Sequence, residues 1–300
     1  MSIPVGELAA LGTAICWTFT SLLFADAGTR IGSQVVNFVR LVLALLMLAG
    51  LGWLARGQPW PTDATPHAWA WLSVSGAVGL AFGDLCLFRA LVVIGPRLGS
   101  LLMSFAPPLA ALIGWLVLGE TLRPDQLAGM ALTLGGVAWA LADRRPGGVA
   151  LQPVDRRPLV LGVLLGLGGA LGQAGGLVLS KLGMGDYDAF AATQIRVMAA
   201  VIVFALIFTA TGWWPRVAQG VRQPRAMVAT ALGAIFGPFL GVGLSLVAIQ
   251  HTSTGVAASL MATSPVMIIP VVVLLGRERV GRGGVFGTIL AVIGVIVLVR

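Results

Sequence analysis

Charge is what this sequence has least of. Acidic and basic residues together make up 10% of the chain, against about a quarter in soluble domains. Too few polar side chains remain to build a water-facing surface. Lysine occurs once, at Lys181, and histidine only twice. The two cysteines, Cys16 and Cys86, both lie in apolar stretches, which marks them as packing residues rather than a disulfide or a metal site. There is no Walker loop, no paired-histidine zinc spacing and no serine elbow with a base to serve it. These absences argue against an enzyme, a resident cofactor, a metal centre or direct ATP drive. No basic n-region precedes the first apolar stretch, which follows Met1-Ser2-Ile3-Pro4 with Glu7 close by. That stretch reads as a retained span, not a cleaved signal.

Apolar side chains, by contrast, make up 58% of the 300 residues, and mean hydropathy is +0.97. Runs of about 20 apolar residues match the length of a bilayer-crossing helix. They are too long and too evenly apolar for barrel strands. The expectation is an all-α integral membrane protein with ten transmembrane helices, roughly 4–25, 32–55, 67–92, 96–118, 124–142, 159–181, 188–212, 226–250, 254–275 and 283–299. Breaks carry Gly, Pro or charge, as at Gly95-Pro96. Trp53, Trp60, Trp69, Trp213 and Trp214 sit near span ends, as interface anchors do. The net charge of +8 comes from 18 arginines and one lysine against 11 acids. In a chain this apolar, such arginines face lipid headgroups rather than nucleic acid.

The chain also repeats itself. At a shift of 156, Gly6, Leu8, Leu11, Gly12, Ala14, Arg40 and Ala44 fall on Gly162, Leu164, Leu167, Gly168, Ala170, Arg196 and Ala200. At a shift of 158, Ala90, Met103, Pro107, Glu120, Gly129 and Gly136 match Ala248, Met261, Pro265, Glu278, Gly287 and Gly294. Apolar matches are cheap here, but paired Arg, Pro and Glu in the same order are not. The halves are 1–142 and 159–300, joined by a basic linker, 143–158, that holds Arg144, Arg145, Arg156 and Arg157. Five spans per half is an odd number, so the second half enters the membrane upside down. Inverted repeats of this kind are typical of secondary transporters with a midplane site.

Several interior polar residues are candidates for that site. Arg40, Arg196 and Asp84 are charges inside spans, where charge is costly and often functional. Asp84 is a candidate for proton coupling or for holding a substrate amine. Arg89 lies about 140° round the helix from Asp84 and is not its same-face partner. Asn37, Gln173, Gln194 and Gln250 are neutral groups that could contact cargo, and Trp17 could stack on an aromatic ligand. Matched interruptions at Pro107 and Pro265 point to gates, together with the small-residue faces at Gly172 and Gly176 and at Gly237 and Gly241. Glu120 and Glu278 end their spans beside Arg123 and Arg279 and read as loop-capping ion pairs, while Lys181 reads as snorkelling.

Trp17, Arg40, the stretch PPLAALIGWLVLGETL from Pro107 past Glu120, and Gly129 with Gly135-Gly136 carry a resemblance. They are similar to the ten-helix EamA-type members of the drug/metabolite transporter superfamily. Arg196, Pro265 to Glu278, Gly287 and Gly294 repeat the pattern in the second half. Two departures are Gln173 in place of a second tryptophan, and Arg277 where the first half has Gly119. The resemblance implies a carrier in the bacterial inner membrane that exports small metabolites, often amino acids. It sets the expectation of alternating access around a cavity lined by spans one, three, four, six, eight and nine, with amino acids as cargo, aromatic ones included. Protons or the substrate gradient supply the drive. Phosphorylated or nucleotide cargo, a passive channel and a non-transporting sensor are the alternatives. Basic loop residues number four on the side of the termini and twelve opposite. That count favours external termini, whereas the resemblance implies cytoplasmic ones.

Overall fold

The computed structural model describes residues 4–143, 156–264, 266–267 and 281–299. Among them every regular element is helical. The first half holds α1 (Val5–Ile31), α2 (Ser33–Arg56), α3 (Pro66–Ser75), a π-helical turn π1 (Gly76–Gly83), α4 (Asp84–Met103), α5 (Ala106–Leu118) and α6 (Pro124–Asp143). The second holds α7 (Arg156–Met184), α8 (Ala189–Thr211), a short α9 (Trp214–Val221), α10 (Pro224–Ala234), π2 (Ile235–Gly241), α11 (Val242–His251), α12 (Thr254–Met261) and α13 (Arg282–Val299). Six rods are long and apolar enough to cross a bilayer: Val5–Ile31, Ser33–Arg56, Pro66–Ile94, Leu159–Met184, Ala189–Thr211 and Pro224–His251. Ala106–Leu118 and Gly283–Val299 are apolar but shorter. The protein is therefore a multi-pass helical membrane protein.

Local chemistry explains where helices stop. Gly57 and Gly119 adopt the left-handed conformation that terminates α2 and α5, a geometry that costs other residues more. Thr65 caps α3 by accepting a 3.2 Å hydrogen bond from the Ala68 amide, and Asp188 caps α8 by accepting one of 2.8 Å from Ala191. The break expected at Gly95-Pro96 does not occur, because α4 runs on to Met103 and the chain turns at Ser104 and Phe105. Proline's fixed φ is compatible with a helix, at the cost of one hydrogen bond. Of the gate candidates, Pro107 sits in the first turn of α5, where no intrahelical donor is lost. Pro265 lies outside the described residues, as do Arg277, Glu278 and Arg279.

Helices pack across the halves: α1 against α10, π2 and α11; α7 against α3, π1 and α4; α2 against α8; α5 against α12; α6 against α13. Glycines set these distances. A β-carbon at Gly136 would stand 2.5 Å from the Gly287 carbonyl oxygen, and one at Gly287 would stand 2.7 Å from that of Gly136. Likewise Gly172 and Gly176 press on Gly83 and Gly79, where added β-carbons would lie 2.6 and 2.7 Å from the facing Cα atoms. In the other half Gly237 and Gly241 press on Thr20 and Trp17, each at 2.9 Å by the same measure. The free thiols Cys16 and Cys86 are buried in this packing.

Candidate functional site

Four polar side chains meet between α2, α4, α7 and α8. Arg40 forms an ion pair with Asp84 through Nη2 and Oδ2. Gln173 donates a 3.1 Å hydrogen bond from Nε2 to the other Asp84 oxygen. The guanidinium of Arg40 also lies over Phe24 and Phe88, at 5.3 and 5.9 Å from the ring centroids. Arg196, only 4% exposed, lies on α8 close enough to interact electrostatically with Asp84, without touching it. Its Nη2 stands 3.3 Å from where a Gly79 β-carbon would be. Its Nε and Nη1 have no hydrogen-bond partner among the described residues, and it makes no ion pair there. Arg40 lies seven residues into α2 and Arg196 seven into α8, each about 10 Å from its helix start at 1.5 Å per residue. The two helices start at opposite ends of the bundle, so the arginines straddle the middle. Neither snorkels.

Above Arg40, toward the end of the bundle opposite Val5, a cavity of about 430 Å³ opens. Arg30, Arg89, Arg216, Gln34 and Gln219 line it, and Phe88 separates it from Arg40. Arg89 lines this cavity and Asp84 does not, in keeping with their different faces of the helix. The lining comes from the end of α1, the start of α2, Phe88, Arg89 and Val92 of α4, and the α8–α10 connection. Spans two and seven thus contribute to the site through α2 and α8, which the expected lining omitted.

The opposite end, which holds Val5, is closed by polar ties. Arg56 Nη1 pairs with Asp63 at 3.1 Å, and the Tyr187 hydroxyl donates to Asp63 at 2.8 Å. Gln194 donates to the Pro59 carbonyl at 2.7 Å, and Gln250 to those of Gly185 and Tyr187, both at 3.0 Å. Lys181 does not snorkel. It pairs with Glu120 at 2.7 Å and donates to the Thr252 carbonyl at 2.6 Å. Glu120 also accepts from the Thr254 amide and hydroxyl, at 2.8 and 2.6 Å. The expected Glu120–Arg123 pair is absent, since Arg123 turns to Asp125 at 2.5 Å. Partial burial pulls the Asp63 carboxyl up, but the Tyr187 hydrogen bond, one from its own backbone and Arg56 outweigh it and hold the group below its ordinary range. Burial, followed by the bond to Asp63, pushes the Tyr187 phenol up to about 12.

The structure therefore brings Arg40, Asp84, Gln173 and Arg196 together, with Asn37 one turn before Arg40, buried and with both amide atoms unpartnered among the described residues. Gln194 and Gln250 lie apart, in the closed end. Trp17 packs on Gly241. Phe88 and the closing pair of Lys181 with Glu120 escaped sequence reasoning, because nothing in the local pattern joins α5 to α7. Among the described residues no group of three or more His, Cys, Asp and Glu comes together.

Comparison with known proteins bears on this arrangement. The model of the EamA-like transporter family matches residues 4–142 and again 160–300. The threonine/homoserine exporter RhtA of Escherichia coli K12 is 33% identical over 129 residues, which is 43% of this chain and 41% of that protein. A protein of Pseudomonas aeruginosa is 33% identical over 141 residues, 46% of each chain. These alignments span under half the length of either relative. A solved crystal structure shares the fold at a TM-score of 0.77, covering 97% of this chain and 95% of its own at 20% identity. Matched by the family model through both halves of its sequence, the chain belongs to the EamA-like transporter family.

Proposed function

We propose that this transporter is a secondary carrier that exports small metabolites, amino acids foremost and aromatic ones among them, across a bacterial inner membrane by alternating access. Its frame is ten helices in two inverted five-helix repeats, 1–142 and 159–300, joined by the linker 143–158. Two contacts that recur with the halves exchanged support this frame. Gly136 meets Gly287 as Gly129 meets Gly294, and π1 crosses α7 as π2 crosses α1. A shift of 158 carries Gly76–Gly83 onto 234–241, where π2 begins one residue later. The likeness to RhtA supports amino acids as cargo.

One observation carries the reading. A buried, charge-unbalanced cluster drawn from both halves lies beneath a cavity open at one end, while the other end is tied shut. Arg40, Asp84, Gln173, Arg196, Asn37 and Trp17 form the cargo site, with Asp84 the proton-accepting group. Gln194 and Gln250 belong to the closing ties. Pro107, Pro265, Gly172, Gly176, Gly237 and Gly241 form the moving crossings. Phosphorylated cargo would call for several free interior cations, and among the described residues Arg196 is the buried cation without an ion pair. Counterflow in proteoliposomes tests the proposal. Vesicles preloaded with single unlabelled amino acids should accumulate labelled tracer transiently and saturably, and Asp84→Asn should abolish it. Flux without saturation or counterflow would mean a channel.

A further inference from the structure

The two interior arginines are repeat mates with unequal partners. A shift of 156 relates Arg40 to Arg196, and a shift of 158 carries Asp84, the acid on Arg40, onto Val242. Val242 is buried and carries no charge. The shift of 156 relates Gln173, which steadies Asp84, to Trp17. Arg196 thus has neither an acid nor an amide at the positions that mirror the partners of Arg40: Val242 stands for the acid in the second half, and Trp17 for the amide in the first. What remains is a guanidinium 4% exposed, with two nitrogens unpartnered, in a cluster of two cations and one anion. Burying such a charge unpaired is unfavourable, and guanidinium cannot escape by losing its proton. The crossing beside it is built from glycines: Gly76 presses on the Arg196 backbone, Gly79 on Gly176, and a β-carbon added at Gly79 would stand 3.3 Å from the Arg196 Nη2.

We infer that Arg196 is the docking group for a carboxylate carried by the cargo, which supplies the counter-charge that Val242 does not. This rests on the carrier reading and sharpens it. The selected feature is the carboxylate, so amino acids and simple carboxylic acids are cargo, while amines and amides lacking the acid are not. Arg89 and Arg216 around the open cavity, where Arg30 is already paired with Asp26, favour the same anion on its way to or from the cluster.

The test is counterflow in proteoliposomes of the full-length protein with labelled L-threonine, competed by threoninamide or by 3-hydroxybutyrate. The expected result is competition by the hydroxy acid and none by the amide. Arg196→Gln, which removes a buried unpaired charge and should fold normally, should raise the half-saturating concentration roughly tenfold or more, as loss of a charge-assisted contact implies. Arg196→Lys should recover part of the loss. Val242→Asp should mimic Arg196→Gln by giving the arginine an internal acid, with thermal stability undiminished. Equal competition by threoninamide, or unchanged half-saturation in Arg196→Gln and Val242→Asp, overturns the inference and leaves the carrier standing. Dependence of threonine uptake on chloride, replaced by gluconate, with no dependence on the cargo's own carboxylate, overturns it as well. Absence of counterflow for every amino acid fells the carrier reading and this inference with it.

Discussion

At the scale of single residues, the Arg40–Asp84 pair is the most sensitive point in the protein. Asp84→Asn strands Arg40 in the interior beside Arg196, so two unbalanced cations remain. Loss of one partner of a buried pair costs about 3–5 kcal/mol, and thermal unfolding in detergent should show it as a clear drop in Tm. A second contrast separates an acid and a base that are neighbours in sequence. Glu120→Gln should cost about 2 kcal/mol, since Glu120 holds both Lys181 and the Thr254 backbone. Arg123→Ala should cost less than about 0.5 kcal/mol, since its pair with Asp125 is exposed. The same unfolding assay decides, and equal losses would reinstate the local Glu120–Arg123 pair. These residues also mark what the sequence can disclose. Arg40, Asp84 and Arg196 stand out because charge is conspicuous in apolar spans, and Gln173 because it departs from its mate Trp17. That Arg40 reaches Asp84 across two helices, or Lys181 reaches Glu120, is a tertiary fact with no local signature.

At the scale of helices, glycine spacing was readable as close packing, but which crossing each glycine serves was not. Gly136 and Gly28 both lie inside long helices, yet only the first faces backbone, while a β-carbon at Gly28 would meet nothing within 4 Å. Gly136→Leu should therefore prise α6 from α13 and cost at least about 1–3 kcal/mol by overpacking. Gly28→Ala should be neutral or stabilise by about 0.5–1 kcal/mol, because alanine loses less backbone freedom in a helix. Paired Tm measurements would refute the assignment if the two changed alike. The π-helical turns at Gly76–Gly83 and Ile235–Gly241 lay beyond sequence reasoning. An apolar run with glycines reads as one straight span, and Pro238 alone hints at the second. Such wide turns often mark functional sites. Here one leads directly into Asp84 and the other into Val242, the two positions whose difference leaves Arg196 unmatched.

At the scale of the whole molecule, the ties at the Val5 end must release if cargo is to cross, and their chemistry says when. Asp63 titrates below its ordinary range in the fold, so its contribution is present above the unfolded value of about 4 and is lost as pH falls through the folded one. Tyr187, pushed to about 12, contributes fully below its unfolded value of about 10 and loses that contribution between the two. The closed end should hold across neutral pH and loosen at both extremes. In Tyr187→Phe the alkaline limb of a stability profile should vanish, and the acid limb should shrink, because the Tyr187 hydroxyl is the first of the groups that hold Asp63 down. A covalent lock asks the larger question. A β-carbon at Gly6 would lie 3.0 Å from that of Thr252, closer than the roughly 3.5–4.5 Å of a disulfide, so a slight parting of α1 from the end of α11 brings the pair into range. A Gly6→Cys, Thr252→Cys double variant, with Cys16 and Cys86 replaced by alanine, should form that bridge on oxidation. In an alternating carrier, holding this end shut leaves the cargo site reachable from one side only. Counterflow should disappear on oxidation and return with reductant, while binding of threonine from the open side persists. Transport that continues undiminished through the oxidised protein would mean this end never opens in the cycle, and the ties would then be scaffold rather than gate.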